Sequence, residues 1–347
     1  MFLFWRGSIR VIKSSTRSTS VQAARLYSAE RLEEYDAPVS ADDNFTSVRR
    51  DEFKSLRIAI FGLPNAGKST LINQLIHHQV CAASMKPHTT RSACRAVLHT
   101  DTTELVFVDT PGVVTTQEVK RLNLESSFQS DPEVAVKKAD IVGVLHDVSR
   151  SRFRQEISPQ VLNLLKNLDS DTPTLLLMNK VDQIKNKRKL LDFVRHLTGE
   201  NGWPNFTDIF MLSALEGDGV SDLREYLLVS AKPRDWEYEK DTLTDQKPEE
   251  MIVRIVRGSL LDVLPEEIPY NLDIQIEYYN VCKDGSINTV VLIDCPTERL
   301  YKLILRKITS KLKYIAMNVE QALSKNLQQT VRVKLVFQPK KVISKSK

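Results

Sequence analysis

At 347 residues the chain is long enough for two domains once processed or unstructured ends are set aside. Hydrophobic content of 41% with 27% charged residues is globular and excludes a fibrous or wholly disordered chain, and no apolar run approaches the ~18 residues of a spanning helix. Net charge is only +5, and Cys81, Cys94, Cys282 and Cys295 form no C-x-x-C pair, which argues against structural zinc or a disulfide scaffold and for a reducing compartment.

Residues 1–29 contain no acid but carry Arg6, Arg10, Lys13, Arg17 and Arg25 among many serines. That is the profile of a mitochondrial transit peptide, assigned to 1–27 and ending near Arg25-Leu26-Tyr27-Ser28, and it predicts a matrix location. A secretory signal is the rival, although the apolar stretch Met1–Trp5 is short and the charge follows it; a plain basic arm is the other. Residues 28–54 turn acidic and polar (Glu33, Glu34, Asp36, Asp42, Asp43) and read as a flexible lead-in.

The segment 55–232 alternates short apolar runs with helical patterns, which predicts an α/β unit with a mostly parallel sheet and helices on both faces. The expected strands are 56–61, 95–100, 104–109, 140–147, 174–179 and 208–213. The expected helices include 69–78, 158–168 and 187–197. After the first strand, Gly62-Leu63-Pro64-Asn65-Ala66-Gly67-Lys68-Ser69-Thr70 fits G-x-x-x-x-G-K-[ST] in the strand–loop–helix context that pattern requires. Inward backbone N–H groups and a helix N-terminus suit a phosphate, so a nucleoside triphosphate site is expected, with Lys68 on the β- and γ-phosphates and Ser69 on Mg²⁺. Asp109 closes the third strand of this series, a buried apolar run. A carboxylate there is costly unless it meets a metal or donors, so Asp109 is assigned to Mg²⁺, with Thr110, Pro111 and Gly112 facing the γ-phosphate. Asn179-Lys180-Val181-Asp182 supplies a carboxylate able to accept both the N1–H and the exocyclic amine of guanine, which selects GTP over ATP. Ser213-Ala214-Leu215 ends the last strand, where a backbone N–H can approach the base.

These elements in this order mark a P-loop GTPase. More narrowly, Gly62-x-Pro64-Asn65-x-Gly67-Lys68-Ser69, then His88-Thr89-Thr90-Arg91, then Asp109-Thr110-Pro111-Gly112 resembles the Era family of ribosome-assembly GTPases. The resemblance implies that 88–91 lie in switch I, with Thr89 or Thr90 completing the Mg²⁺ shell. It also implies that Asn65 helps bind a K⁺ ion bridging the phosphates, so that Lys68, Thr90 and Asn65 are the expected catalytic set. Val113 and Val114 follow Gly112 where Ras-like proteins place a water-orienting glutamine, so slow unassisted hydrolysis near ~10⁻⁴ s⁻¹ is expected.

Residues 233–250 break the α/β pattern and read as a linker. Leu264-Pro265-Glu266-Glu267-Ile268-Pro269-Tyr270-Asn271, opening an alternating run, resembles the Era family's entry into its KH domain. A smaller α+β unit of the type II KH kind is therefore expected over 251–338. Its glycine clamp is missing, since Arg306-Lys307-Ile308-Thr309 stands where a G-x-x-G loop would approach RNA phosphates. From Arg299 to Lys347 there are thirteen lysines and arginines against the single acid Glu320, so Arg306, Lys307, Lys311 and Lys313 are the expected RNA contacts and 339–347 a basic tail. The resemblance implies a mitochondrial GTPase that binds small-subunit rRNA near its 3′ end and times small-subunit assembly, meeting small-subunit proteins there. The alternative is a GTP-binding protein that docks on ribosomal proteins or particles without KH-type recognition. A monomer is expected, with no transmembrane segment and peripheral membrane contact left open.

Overall fold

The computed structural model describes residues 2–5, 8–11, 53–78, 80–81, 94–113, 132, 134–150, 156–200, 202–264, 268–308 and 311–340. Its central strand, β3 (Lys54–Phe61), lies between β5 (Thr103–Asp109) and β6 (Ile141–Asp147), and beyond β6 follow β7 (Thr174–Asn179) and β8 (Asp208–Leu212), all parallel. β4 (Cys94–His99) joins the other side antiparallel to β5. Strands covered on both faces read as nearly continuous apolar runs, and every residue of β7 is buried. On one face α1 (Lys68–Ile76) and α4 (Val220–Val229) pack Leu71, Leu75, Leu223 and Leu227 against the sheet; on the other, α2 (Pro159–Lys166) and α3 (Lys189–Leu197) contribute Val161, Leu165, Leu190 and Phe193. This is the expected doubly covered α/β sheet.

Boundaries follow local chemistry. α2 starts where Ser158 Oγ accepts the Val161 N–H at 3.3 Å, with Pro159 at the first helical position. α1 ends at Ile76 instead of the expected His78, because His77 turns into the left-handed region at φ 58°.

Two short strands, β1 (Phe2–Trp5) and β2 (Ser8–Val11), form a hairpin that pairs with β8 through Ser8 and Ile9. Sequence analysis placed no folded element in this basic leader.

The connector is not a loose tether. β9 (Lys232–Pro233) pairs antiparallel with the start of β3. The Glu104 carboxylate, fully buried inside β5, accepts the backbone N–H groups of Glu237 (3.0 Å) and Tyr238 (2.9 Å) and the Ser55 hydroxyl (2.8 Å). The Trp236 ring lies against Phe53 and His99 at 4.9 and 4.6 Å, and Arg234 grips Asp140 through both guanidinium nitrogens at 3.0 and 2.9 Å. Burial alone would raise the Asp140 carboxyl; the Arg234 and Arg57 hydrogen bonds outweigh it and hold the group below its ordinary range. Farther on, Leu243 O accepts the Val97 N–H, and Asp245 pairs with Arg95 at 3.0 Å. Replacing Glu104 with alanine leaves the buried Ser55 hydroxyl without its acceptor, at about 1–3 kcal/mol, and frees two part-buried backbone donors of the connector. The expected result is a lower melting temperature and faster chymotryptic cleavage at Trp236 and Tyr238; an unchanged digestion pattern would refute the clasp.

The second unit runs α5 (Pro248–Val263), β10 (Asp273–Val281), β11 (Ile287–Cys295), α6 (Glu298–Ile308), α7 (Leu312–Leu327) and β12 (Val331–Pro339). β11 is antiparallel to β10 and parallel to β12. Strict alternation in β11 sends Ile287, Thr289, Val291, Ile293 and Cys295 inward. There they meet Ile252 and Val256 of α5, Ile304 of α6 and Ile315, Val319 and Leu323 of α7. The order α-β-β-α-α-β with one parallel pair is the architecture expected of the type II KH arrangement. Among the described residues no helix is long and apolar enough to cross a membrane.

Candidate nucleotide site and basic face

The site forms at the carboxyl ends of β3, β5, β6, β7 and β8, where an open α/β sheet gathers its ligands. The loop Gly62–Gly67 leads from β3 into α1. Gly67 sits at φ 101°, and a Cβ there would come within 2.4 Å of Asn179 Nδ2, so glycine is required on both counts. Asn65 also lies in the left-handed region, at φ 63°, which asparagine tolerates. Lys68 is buried and donates to the carbonyls of Gly62 (3.3 Å) and Leu63 (3.2 Å). Burial pushes its ammonium down to about 8, and nearby Asp109 pulls it back only in part. Ser69 Oγ donates to Asp109 Oδ2 at 2.8 Å, so two oxygen donors from separate elements converge beside the phosphate loop. Thr110 bonds the Ile60 carbonyl at 3.1 Å, and Val113 N–H donates to Gly62 O at 3.0 Å, which seats Pro111 and Gly112 against the loop. Thr70 follows in the first turn of α1, half-buried.

The base side is held by a cross-brace. Asn179 is buried at the end of β7; its Nδ2 donates to Ala66 O at 2.7 Å and its Oδ1 accepts the Ala214 N–H at 2.9 Å. One amide thereby ties the phosphate loop to the β8 loop. Lys180 lies at φ 65° and sends its Nζ to Asn65 O (2.8 Å) and Asp147 Oδ2 (2.7 Å). Asp147 ends β6 and was missed in the sequence, although a carboxylate closing a buried run is the signal that singled out Asp109. Burial would raise Asp147, but bonds from Lys180 and Ser149 hold it low. Asp182 stands exposed in the short 3-10 turn Val181–Gln183. Ser213 and Ala214 are buried, with Ser213 N–H donating to Asp218 O, while Leu215 is 73% exposed. Of the triplet expected near the base, Leu215 is the member offered outward.

Thr89, Thr90 and the rest of 82–93, with 114–131, lie outside the described residues. In the second unit Arg306 of α6, Lys311 at the start of α7 and Lys313 within it are exposed, as are Leu303, Tyr314 and Met317 at 39%, 63% and 46%. Lys307 lies in α6, with its side chain outside the description, as is the 309–310 corner. Tyr314 follows Lys313 and offers an exposed aromatic ring of the kind on which bases can stack, legible in the sequence only as one position of a helix.

The family model described as 50S ribosome-binding GTPase matches residues 57–180. "GTPase Era, mitochondrial" of Danio rerio is 37% identical over 304 residues, covering 73% of this chain and 68% of the relative. The protein of the same name in Salmo salar is 33% identical over 346 residues, covering 81% and 76%. GTPase Era of Erythrobacter litoralis is 33% identical over 280 residues, covering 80% and 88%. Among solved structures, Era in complex with MgGDPNP and nucleotides 1506–1542 of 16S ribosomal RNA superposes with a TM-score of 0.71 at 24% identity, over 83% of this chain and 94% of that one. A phosphate loop, an Asp109 carboxylate and an exposed Asp182 arranged on a fold shared with these relatives identify the chain as a GTPase, and it belongs to the Era family.

Proposed function

We propose that this protein is a mitochondrial GTPase that binds the 3′ end of small-subunit rRNA and uses its nucleotide cycle to time a step of small-subunit assembly. The observation that carries this reading is the exposure of Arg306, Lys311, Lys313 and Tyr314 in a unit whose connector is bonded along the GTPase sheet. Two relatives are named as mitochondrial Era, and one solved relative holds 16S rRNA. Both facts support the reading, as does the acid-free leader, which we assign to import into the matrix. The units are taken as leader 1–27, lead-in 28–54, GTPase 55–232, connector 233–250, KH-like unit 251–338 and tail 339–347.

Within the GTPase site, Gly62–Thr70 and Thr110–Gly112 surround the phosphates and Asp182 reads guanine, with Asn179, Lys180 and 213–215 shaping the base pocket. The Ser69 and Asp109 oxygens fit a hard cation and, with Thr90, would hold Mg²⁺. When bound, Mg²⁺ supplies charge that neutralises phosphate oxygens. Asn65 is assigned to K⁺ as part of the same reading. Lys68 contributes its positive charge to the phosphates. Since its free-state value is about 8, nucleotide binding restores a proton above that pH. GDP affinity is therefore expected to fall about fourfold between pH 7 and pH 8.5. Titration calorimetry showing a flat profile would refute this.

The functional reading is tested by crosslinking the protein to RNA in intact mitochondria. Crosslinks at the 3′ end of the small-subunit rRNA are expected. They should be lost when Arg306→Glu and Lys307→Glu are combined, with in vitro affinity falling at least about tenfold and its salt dependence flattening by roughly two charges. Tyr314→Ala should lose about 1–3 kcal/mol of RNA binding. Retained association with ribosomal particles without any RNA crosslink would instead favour docking on ribosomal proteins, the reading that the missing glycine loop supports.

A further inference from the structure

Cys81 and Cys94 are both buried, with their sulfur atoms 3.9 Å apart. Neither has a part in the nucleotide site described above. Cys81 is pinned to α1 through both its backbone groups: its N–H donates to Asn73 Oδ1 at 2.8 Å, and its carbonyl accepts Asn73 Nδ2 at 2.7 Å. Cys94 opens β4 directly opposite Asp109 in β5. The two thiols are thus held by separate rigid elements and face each other. In sequence they flank residues 82–93, which include His88–Arg91.

Two kinds of chemistry fit a facing thiol pair. With the Asp109 carboxylate, all three ligand atoms lie within 4.8 Å of one another, which is close enough for a metal ion. However, the guanidinium of Arg254, from α5, hydrogen-bonds the Cys94 thiol and lies within electrostatic reach of Asp109 and Cys81. A fixed cation at that place opposes a dication, and three donors fall short of the tetrahedral set of a structural zinc. Covalent joining carries neither objection. The sulfurs need to approach by ~2 Å to reach a bonded S–S length.

We propose that Cys81 and Cys94 are a modification site, joined reversibly into a disulfide by a two-electron oxidant of the hydrogen peroxide class. Peroxide oxidises one thiol to a sulfenic acid and releases one water. The sulfur of the second thiol then displaces the hydroxyl, which leaves with that thiol's proton as a second water. Two S–H bonds and the O–O bond are lost, and one S–S bond and two O–H bonds form. The bond ties α1, through Cys81, to the strand opposite Asp109 and closes a covalent ring containing 82–93. A slower nucleotide cycle follows from this, a consequence that rests on the role given to 88–91 in the proposed function.

The test treats the full-length reduced protein with hydrogen peroxide and maps its cysteines by non-reducing peptide mass spectrometry, with GTP hydrolysis measured in parallel. An intramolecular peptide joining Cys81 to Cys94 is expected, with hydrolysis lowered at least threefold and both changes reversed by dithiothreitol. Cys81→Ala and Cys94→Ser should each keep basal hydrolysis and lose the peroxide response. Oxidation confined to the partly exposed Cys282, a bridge through Cys282, or stoichiometric zinc in the purified protein would overturn the site. A mapped Cys81–Cys94 bridge with unchanged hydrolysis would establish the modification and refute the role given to 88–91.

Discussion

Replacing Asp182 with asparagine is expected to move the protein's preference from guanosine to xanthosine nucleotides. In the proposed site the Asp182 carboxylate accepts two hydrogen bonds from guanine, from N1–H and from the exocyclic amine. Each such charge-assisted bond contributes about 1.5–3 kcal/mol. Asparagine keeps one acceptor but turns the other position into a donor that faces the guanine amine. GTP affinity should fall by about three orders of magnitude. Xanthine carries an oxygen in place of that amine, so it offers one donor and one acceptor, the complement of the new side chain. XTP should bind and be hydrolysed by Asp182→Asn more readily than GTP. Asp182 is exposed and stands outside the core, so the melting temperature should not move. Competition of GTP and XTP for a fluorescent nucleotide checks the switch, and an unchanged GTP:XTP ratio would remove Asp182 from the base site.

Asp182 was legible because its motif is local: four consecutive residues after a buried run state both the turn and the chemistry. The same holds for Gly62–Thr70 and for Asp109–Gly112, and periodicity alone laid out β3 to β8. The contacts that bind these pieces together were not legible. Asn179 meets Ala66 across 113 positions, and Lys180 meets Asn65 across 115, so no short window contains both partners. The motif assigns Lys180 to the nucleotide, and the structure adds what the motif could not carry, the bonds of its Nζ to Asn65 and Asp147. The anchoring of the connector was hidden for a related reason. Lys232–Lys240 has the composition of a loop, and the residue that fixes it, Glu104, is a single acid inside an apolar strand. A buried carboxylate needs donors, and here they come from a backbone 133 and 134 positions away. In the second unit the alternation of β11 and the excess of basic residues were visible from composition. The exposure of Tyr314 depends on how α7 packs, and that is a tertiary fact.

Asn179 shows where such a tertiary bond carries the most weight. Its amide donates to Ala66 O and accepts from Ala214 N–H, and it does so in a buried setting. Asn179→Ala leaves one carbonyl and one N–H without that partner, at about 1–3 kcal/mol each, and removes the tie between the phosphate loop and the β8 loop. A loss of about 3 kcal/mol corresponds to a fall of roughly 6–12 °C in melting temperature for a unit of this size. Asn179→Asp should be worse than its near-identical shape suggests. The carboxylate still accepts the Ala214 N–H but confronts the Ala66 carbonyl with a second acceptor, and it buries a charge. The contrast with Asp182 is the test. Calorimetry of the nucleotide-free protein should show a large shift for both Asn179 variants and none for Asp182→Asn, whereas nucleotide competition should show altered base choice for Asp182→Asn alone. If Asn179→Ala melts with the wild type while losing GTP, the amide acts on the nucleotide directly and the cross-brace has no structural weight.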